Sequence, residues 1–218
     1  MEIFSPILGH QHVFSCLQTI AIGLLLDLPF RSLCSALQAY ENAPGQLQRV
    51  SLGQPFDVYV DHANSPRDLN KAVLTLRQIS EGRLIVVYGP SASHTAEQRA
   101  AMGRIAEKFA DVSIITENNA GYENPLAIAH DVIDGYHRSA DAYVIPGRER
   151  AIVFAITMAE PNDTVLIAGK GADKSETVGS DTYYFDDAEI ATVCIQELLH
   201  PVAKYGRDLF RFEDYTNG

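Results

Sequence analysis

The residues able to do chemistry in this chain cluster where apolar runs end. Asp61-His62-Ala63-Asn64-Ser65-Pro66 follows the β-rich run Phe56 to Val60. A carboxylate in that position can hold a ribose hydroxyl or a metal; the same residues also form an Asp-Ser turn that simply starts a helix. Gly169-Lys170-Gly171 follows the apolar run Thr164 to Ala168. Glycines after a strand let the backbone approach an anion, and Lys170 adds charge. It is not a phosphate-binding P-loop, because Thr164 stands where the first glycine should be and Gly171 replaces the Ser or Thr after the lysine. No other stretch fits that motif, so the sequence offers no recognisable ATP-hydrolysing centre. Gly89-Pro90-Ser91-Ala92-Ser93-His94 is a small-residue loop that either binds an anion at a helix N-terminus or is a plain connection. The histidines form no H-x-x-x-H pair or Cys/His cluster, so no metal site is expected. Ser, His and Asp occur without a nucleophile elbow, which gives a hydrolase no support.

These loops need a scaffold that holds them together, and the chain alternates strand and helix accordingly. Strand signals lie at Phe56–Val60, Arg83–Tyr88, Val112–Ile115, Tyr143–Ile145 and Thr164–Ala168. Helices are expected from Ser65-Pro66 to about Ile79, from a Thr95 cap to Phe109, from Asn124-Pro125, from about Glu149 to Met158, and after Asp186-Asp187. Such a rhythm predicts an α/β fold with a doubly wound, mainly parallel sheet. Ligands in such sheets collect beyond the carboxyl ends of the strands. Before this part, His10 to Leu26 reads as a helix packed on several sides and Phe30 to Tyr40 as a second helix, with a boundary between Pro44 and Val50. The aromatic-rich tail from His200 shows no periodicity; it either wraps back or docks on a partner.

Composition narrows the function. Seventeen Lys and Arg against 28 Asp and Glu leave a net charge of −11, which argues against nucleic-acid binding through a general basic face. Cys16, Cys34 and Cys194 are scattered, as expected of reduced thiols rather than a disulfide framework. Met1-Glu2 lacks a basic leader, so no secretory signal is expected. Val13 to Leu26 is interrupted by Ser15, Gln18 and Thr19 and is too short for a membrane span, which favours a buried helix.

Several phrases, taken in order, resemble the Mur ligases, specifically the synthetases that extend UDP-N-acetylmuramoyl-dipeptide to tripeptide in peptidoglycan synthesis. They are Gly9-His10-Gln11-His12-Val13-Phe14-Ser15, Pro44-Gly45-Gln46-Leu47-Gln48-Arg49-Val50, Val60 to Pro66, Met102-Gly103 with Ala110-Asp111-Val112, Ile167 to Gly171, and Phe185-Asp186-Asp187. The resemblance implies a three-domain enzyme: a UDP-substrate domain, a central P-loop ATPase, and a C-terminal Rossmann-like domain. Residues 1–49 would then be a helical remnant of the central domain, and residues 50–218 the C-terminal Rossmann-like domain.

The resemblance also implies site positions, many of them altered. The family's Pro-Gly-Arg, whose arginine meets ATP, becomes Pro44-Gly45-Gln46. Asp61 keeps the nucleotide-side carboxylate, while Asn64 replaces a histidine. Arg99 matches an arginine on the amino-acid side. The amino-acid-selecting Asp-Asn-Pro-Arg becomes Asn118-Asn119-Ala120-Gly121, which removes a bidentate fork for a substrate carboxylate. Gly-Lys-Gly-His-Glu keeps Gly169, Lys170 and Gly171 but ends in Ala172-Asp173. By resemblance, Asp61 is the cofactor-side candidate, and Arg99, Asn119, Gly169, Lys170 and Asp173 are the substrate-side candidates. No catalytic residue and no metal ligand is assigned.

Fold-building positions persist while ligand-facing ones change. The expected role is a non-catalytic binding or scaffold subunit of a larger assembly. The alternative is the amino-acid-binding part of an ATP-dependent acid–amino acid ligase whose ATPase part lies elsewhere. No cofactor is expected for the isolated chain; ATP and Mg enter only with a separate ATPase part. A protein partner or self-association through residues 1–49 is expected, because those helices would lose their covering domain. The expected compartment is the cytoplasm, or the plastid stroma in a photosynthetic eukaryote.

Overall fold

The computed structural model describes residues 8–40, 43–138 and 142–200. Two helices come first, α1 (His10–Leu25) and α2 (Phe30–Ala39). The strands are β1 (Gln48–Arg49), β2 (Asp57–Asp61), β3 (Leu84–Tyr88), β4 (Val112–Ile115), β5 (Ala142–Val144), β6 (Thr164–Ala168), β7 (Ser175–Val178) and β8 (Asp181–Tyr184). Between and after them lie α3 (Pro66–Arg77), α4 (Ala96–Phe109), α5 (Pro125–Ile133), α6 (Arg148–Thr157) and α7 (Asp187–Leu199).

The main sheet has the order β1-β2-β6-β3-β4-β5. Every pairing in it is parallel except β1 with β2. The expected mainly parallel α/β sheet is therefore present, preceded by a short helical segment. Every residue of β3 and β6 is buried, as continuous apolar runs covered on both faces should be. Leu69, Val73 and Leu76 of α3, Met102 and Ala106 of α4 and Val132 of α5 fill one side with Val86 and Leu166. Ile152 and Ile156 of α6 and Ala191 and Ile195 of α7 fill the other with Ile85, Val87 and Ile167. Each fully buried aliphatic side chain contributes about 1.5–3 kcal/mol, so these two layers dominate the stability.

Local chemistry sets the helix starts. Ser65 Oγ accepts the Asp68 N–H at 3.2 Å, with Pro66 opening α3. Thr95 and Gln98 form a reciprocal capping box at α4. Asn124 Oδ1 accepts the Leu126 N–H at 2.9 Å, and Asp186 Oδ1 accepts the N–H groups of Ala188 and Glu189.

Three features depart from expectation. Strand β1 is two residues long, too short to show periodicity. The hairpin β7–β8 is largely polar, and β8 is exposed throughout, so no alternation marks it. The helix expected to be packed on several sides is largely exposed: α1 lies chiefly on α2, with Gly23 meeting Leu33, and Phe14, Leu17, Ile22 and Leu25 face outward. Apolarity alone reports that a helix wants cover, not whether this part of the chain supplies it. The β1–β2 pairing also seats Gln48 and Arg49 on the main sheet. The three cysteines are free. Among the described residues no helix is long and apolar enough to cross a membrane. The tail beyond His200 lies outside the described residues.

Candidate functional site

The candidate residues meet at the carboxyl ends of β2, β6, β3 and β4. The loop after β2 is fastened by its own backbone. Asp61 Oδ2 accepts the Leu47 N–H at 2.7 Å and Oδ1 accepts the Ala63 N–H at 2.8 Å. Burial raises the Asp61 carboxyl above its ordinary range, with the two N–H donors acting against it. The His62 N–H donates to Gly45 O at 2.7 Å, and His62 Nδ1 lies 3.0 Å from Lys170 O. Three backbone stretches crowd here: a Cβ on Gly45 would lie 2.3 Å from Ala172 N, and one on Gly171 would lie 2.7 Å from His62 Cβ. Both glycines also have positive φ, +72° and +58°, which side-chain-bearing residues rarely adopt.

Lys170 does not point outward. Its residue is 1% exposed, its Nζ pairs with Glu176 Oε2 at 2.8 Å, and it donates to Ser175 O. Glu176 Oε1 accepts the Asn119 N–H at 2.5 Å, and Asn119 Oδ1 accepts the Thr177 N–H at 2.9 Å. Lys170 and Asn119 thus bind hairpin β7–β8 to the loop after β4. Asp173 accepts from the N–H and Oγ–H of Ser175. Burial opposes the Asp173 charge, but Ser175 and Lys170 outweigh it and hold the carboxyl below its ordinary range.

Beside Gly169, the buried Asn118 amide covers the backbone, 2.9 Å from where a Cβ would stand. Asn118 Oδ1 finds no hydrogen-bond partner among the described residues. The loop after β3 closes on itself: the Ser91 N–H donates to His94 Nδ1 at 3.1 Å, and Ser91 Oγ lies 3.0 Å from the same nitrogen. Ala92 N–H donates to Asn119 O at 3.3 Å, so this loop and the loop after β4 are joined.

Arg99 is 3% exposed, and its fork is already filled. Glu123 takes it bidentately at 2.6 Å and 2.6 Å, and Asp131 Oδ2 lies 2.9 Å from Nη1. A substrate carboxylate would have to displace Glu123 to reach it. Hydrogen bonds from Arg99 hold the Glu123 carboxyl below its usual range. A carboxyl lowered on folding stabilises above its unfolded pKa and loses that contribution as pH falls through its folded value. Glu123→Gln is therefore expected to lower Tm at pH 7 and to lose most of that difference from the parent below about pH 4; parallel thermal melts at the two pH values would check it.

One charged pair at this edge was not read from the sequence. Arg148, opening α6, donates through Nε to Asp187 Oδ1 at 2.8 Å and through Nη2 to Asp187 Oδ2 at 2.7 Å. Nη2 also reaches Ala168 O at 3.0 Å, and Nη1 reaches Glu117 O at 3.3 Å. Both side chains are buried. The only hint in the sequence was Asp187 within Phe185-Asp186-Asp187, read there as a helix start.

The geometry brings Asp61, Asn119, Gly169, Lys170 and Asp173 to one edge, with Arg99 beneath the loop after β3. It also gives each charged member an internal counter-charge or donor. A groove of about 360 Å³ lies at the opposite edge, lined by Arg49, Phe56, Asp57, Ile79 and Thr164. The crevice between Thr116, Leu126 and Pro146 holds about 10 Å³, room for about one water. Among the described residues no cluster of three or more His, Cys, Asp or Glu is placed to hold a metal ion.

Residues 45–171 match the family described as Mur ligase, glutamate ligase domain. The UDP-N-acetylmuramoyl-L-alanyl-D-glutamate–2,6-diaminopimelate ligase of Bacillus licheniformis is 37% identical over 197 residues, covering 90% of this chain and 40% of the relative. Its counterpart from Bacillus velezensis is 38% identical over 201 residues, with the same shares covered. A solved structure of a ligase of that name superposes with a TM-score of 0.73 at 26% identity, over 91% of this chain and 41% of the other. A Mycobacterium tuberculosis folylpolyglutamate synthase complexed with ADP and AMPPCP shares the fold, with a TM-score of 0.59 at 15% identity over 91% and 42% of the two chains. The chain spans about 40% of the length of the curated relatives it matches.

Proposed function

The chain belongs to the Mur ligase family, homologous to the C-terminal part of UDP-N-acetylmuramoyl-tripeptide synthetases, and from that premise we propose that it serves as a non-catalytic binding or scaffold module of a larger assembly. One observation carries this reading: the charges at the ligand edge are consumed inside the fold. Arg99 faces Glu123 and Asp131, Lys170 faces Glu176, and Arg148 faces Asp187. An amino-acid substrate needs an unspent cation for its carboxylate. By the motif resemblance, Gly121 stands where the family has its selecting arginine.

ATP fits this edge poorly. By the motif resemblance, Gln46 stands where the family has its phosphate-facing arginine, and each Asp61 oxygen already accepts one backbone N–H group. No chemical step is routed through ATP here. The second reading, an amino-acid-binding part of an ATP-dependent ligase, draws on the retained Gly169-Lys170-Gly171 turn. Only that reading brings ATP and Mg.

The test is incubation of the purified chain with ATP, Mg²⁺, UDP-N-acetylmuramoyl-dipeptide and an amino acid, with amide product followed by mass spectrometry. The expected result is no product, and no rise in Tm with 2,6-diaminopimelate or lysine at millimolar concentration. A ligand at 100 times its Kd adds about 2.7 kcal/mol, which a melt detects readily. Amide formation by the chain alone would overturn the reading.

A further inference from the structure

The groove of about 360 Å³ lies at the amino ends of the strands, across the sheet from every candidate residue of the carboxyl edge. Its lining residues fall between 49 and 164, so its walls are built within the region that matches the family. Those walls are tied to one another by backbone contacts. The Asn162 N–H donates to Pro55 O at 2.9 Å, and the Gly82 N–H donates to Asn162 O at 2.9 Å. Asp163 O accepts the Asp57 N–H at 2.9 Å, and Asp163 Oδ1 accepts the Arg83 N–H at 2.8 Å. Three loops distant in the chain are thereby fixed around the groove, which lowers the ordering cost of binding. The volume suits a small organic molecule.

The lining says which kind. Asp57 and Thr164 are register partners on β2 and β6, so their side chains leave the same face of the sheet side by side. Thr164 is 2% exposed and lines the groove, yet its hydroxyl makes no hydrogen bond among the described residues. Buried hydroxyls are nearly always bonded, so this one is placed for a donor entering the groove. Asp57 Oδ1 takes both Nε and Nη2 of Arg49, at 3.1 and 2.6 Å, which leaves Oδ2 without a partner among the described residues. Glu81, exposed at the rim, is paired with no cation among them either. Arg49, already on Asp57, thus stands against two carboxylates, and the chain's net charge of −11 biases the groove the same way. Phe56 and Ile79 add apolar surface.

We propose that this groove binds a small primary amine carried on an apolar body. The ammonium donates to Glu81, Asp57 Oδ2 and Thr164 Oγ1, and the body lies on Phe56 and Ile79. An ammonium has three donors and no acceptor, which matches three acceptors lining one groove. No residue of the carboxyl edge takes part, so the site stands apart from the non-catalytic reading.

Titration of the ¹⁵N-labelled full chain with 2-phenylethylamine, followed in amide correlation spectra, tests it. The expected result is saturable shifts at Phe56, Asp57, Glu81, Gly82 and Asn162 to Thr164. 3-Phenylpropionate, which offers a carboxylate on a similar body, should bind at least about tenfold more weakly, because it faces like charge. Glu81→Gln, an exposed change, and Thr164→Val, which keeps the shape and removes the hydroxyl, should each weaken the amine at least about fivefold. Their spectra without ligand should match the parent outside the groove. Shifts centred on Asp61–Asn64, Asn118–Gly121 or Gly169–Asp173 would overturn the proposal. So would equal affinity for the two probes, unchanged affinity in either variant, or no saturable shift.

Discussion

Arg148→Met is expected to cost the fold about 3–5 kcal/mol, the range for breaking one side of a buried ion pair. The guanidinium and the Asp187 carboxylate are both out of water, and they meet through two hydrogen bonds of 2.8 Å and 2.7 Å. Methionine fills much of the volume but leaves the Asp187 carboxyl buried without its partner at the start of α7. It also strips a donor from Ala168 O at the end of β6. In a chain of this size about 2–4 °C is lost per kcal/mol, so Tm should fall by roughly 6–20 °C. The double variant Arg148→Met, Asp187→Leu should recover most of the loss, because no charge remains buried. Urea unfolding of the single and double variants decides it; a single variant within 1 kcal/mol of the parent would show that water reaches the pair.

Lys170→Met should be the second-largest effect, and its kind matters as much as its size. If Lys170 served a ligand, removing it would leave stability alone. Here it neutralises Glu176, which in turn receives the Asn119 N–H. The variant leaves that carboxylate buried against a single N–H donor, at a cost of about 3 kcal/mol. Hydrogen exchange should quicken in Asn118–Gly121 and Ser175–Tyr184, which the pair ties together, and stay slow in β3 and β6. Glu176→Gln should do similar damage by orphaning the Lys170 ammonium. Unchanged protection in both segments would return Lys170 to the list of ligand-facing groups.

Asp61 shows where reading by residue type stops. Its place after a strand was legible, and so was the choice between a ribose contact and a turn. The fold spends one oxygen on Ala63, the turn, and the other on Leu47, fourteen residues earlier in the chain. Arg99 is similar: a motif match pointed it at a substrate, whereas its nearest carboxylates are Glu123 and Asp131. A carboxylate looks the same in sequence whether it arrives on a ligand or on a neighbouring helix.

The sequence by itself determined what depends on neighbours along the chain. Apolar runs such as Leu84–Tyr88 and Thr164–Ala168 must be buried strands, and Ser65, Thr95, Asn124 and Asp186 must cap helices, because burial and capping act over a few residues. The parallel α/β order followed from their alternation. Only the tertiary structure decided the pairings across the chain: Arg148 with Asp187 over 39 positions, and Asn119 with Glu176 over 57. It likewise decided that α1 would lie open rather than buried. Hydrophobic and Coulomb attractions carry no record of which partner they will meet, and that is settled when the strands assemble and bring distant loops to one edge.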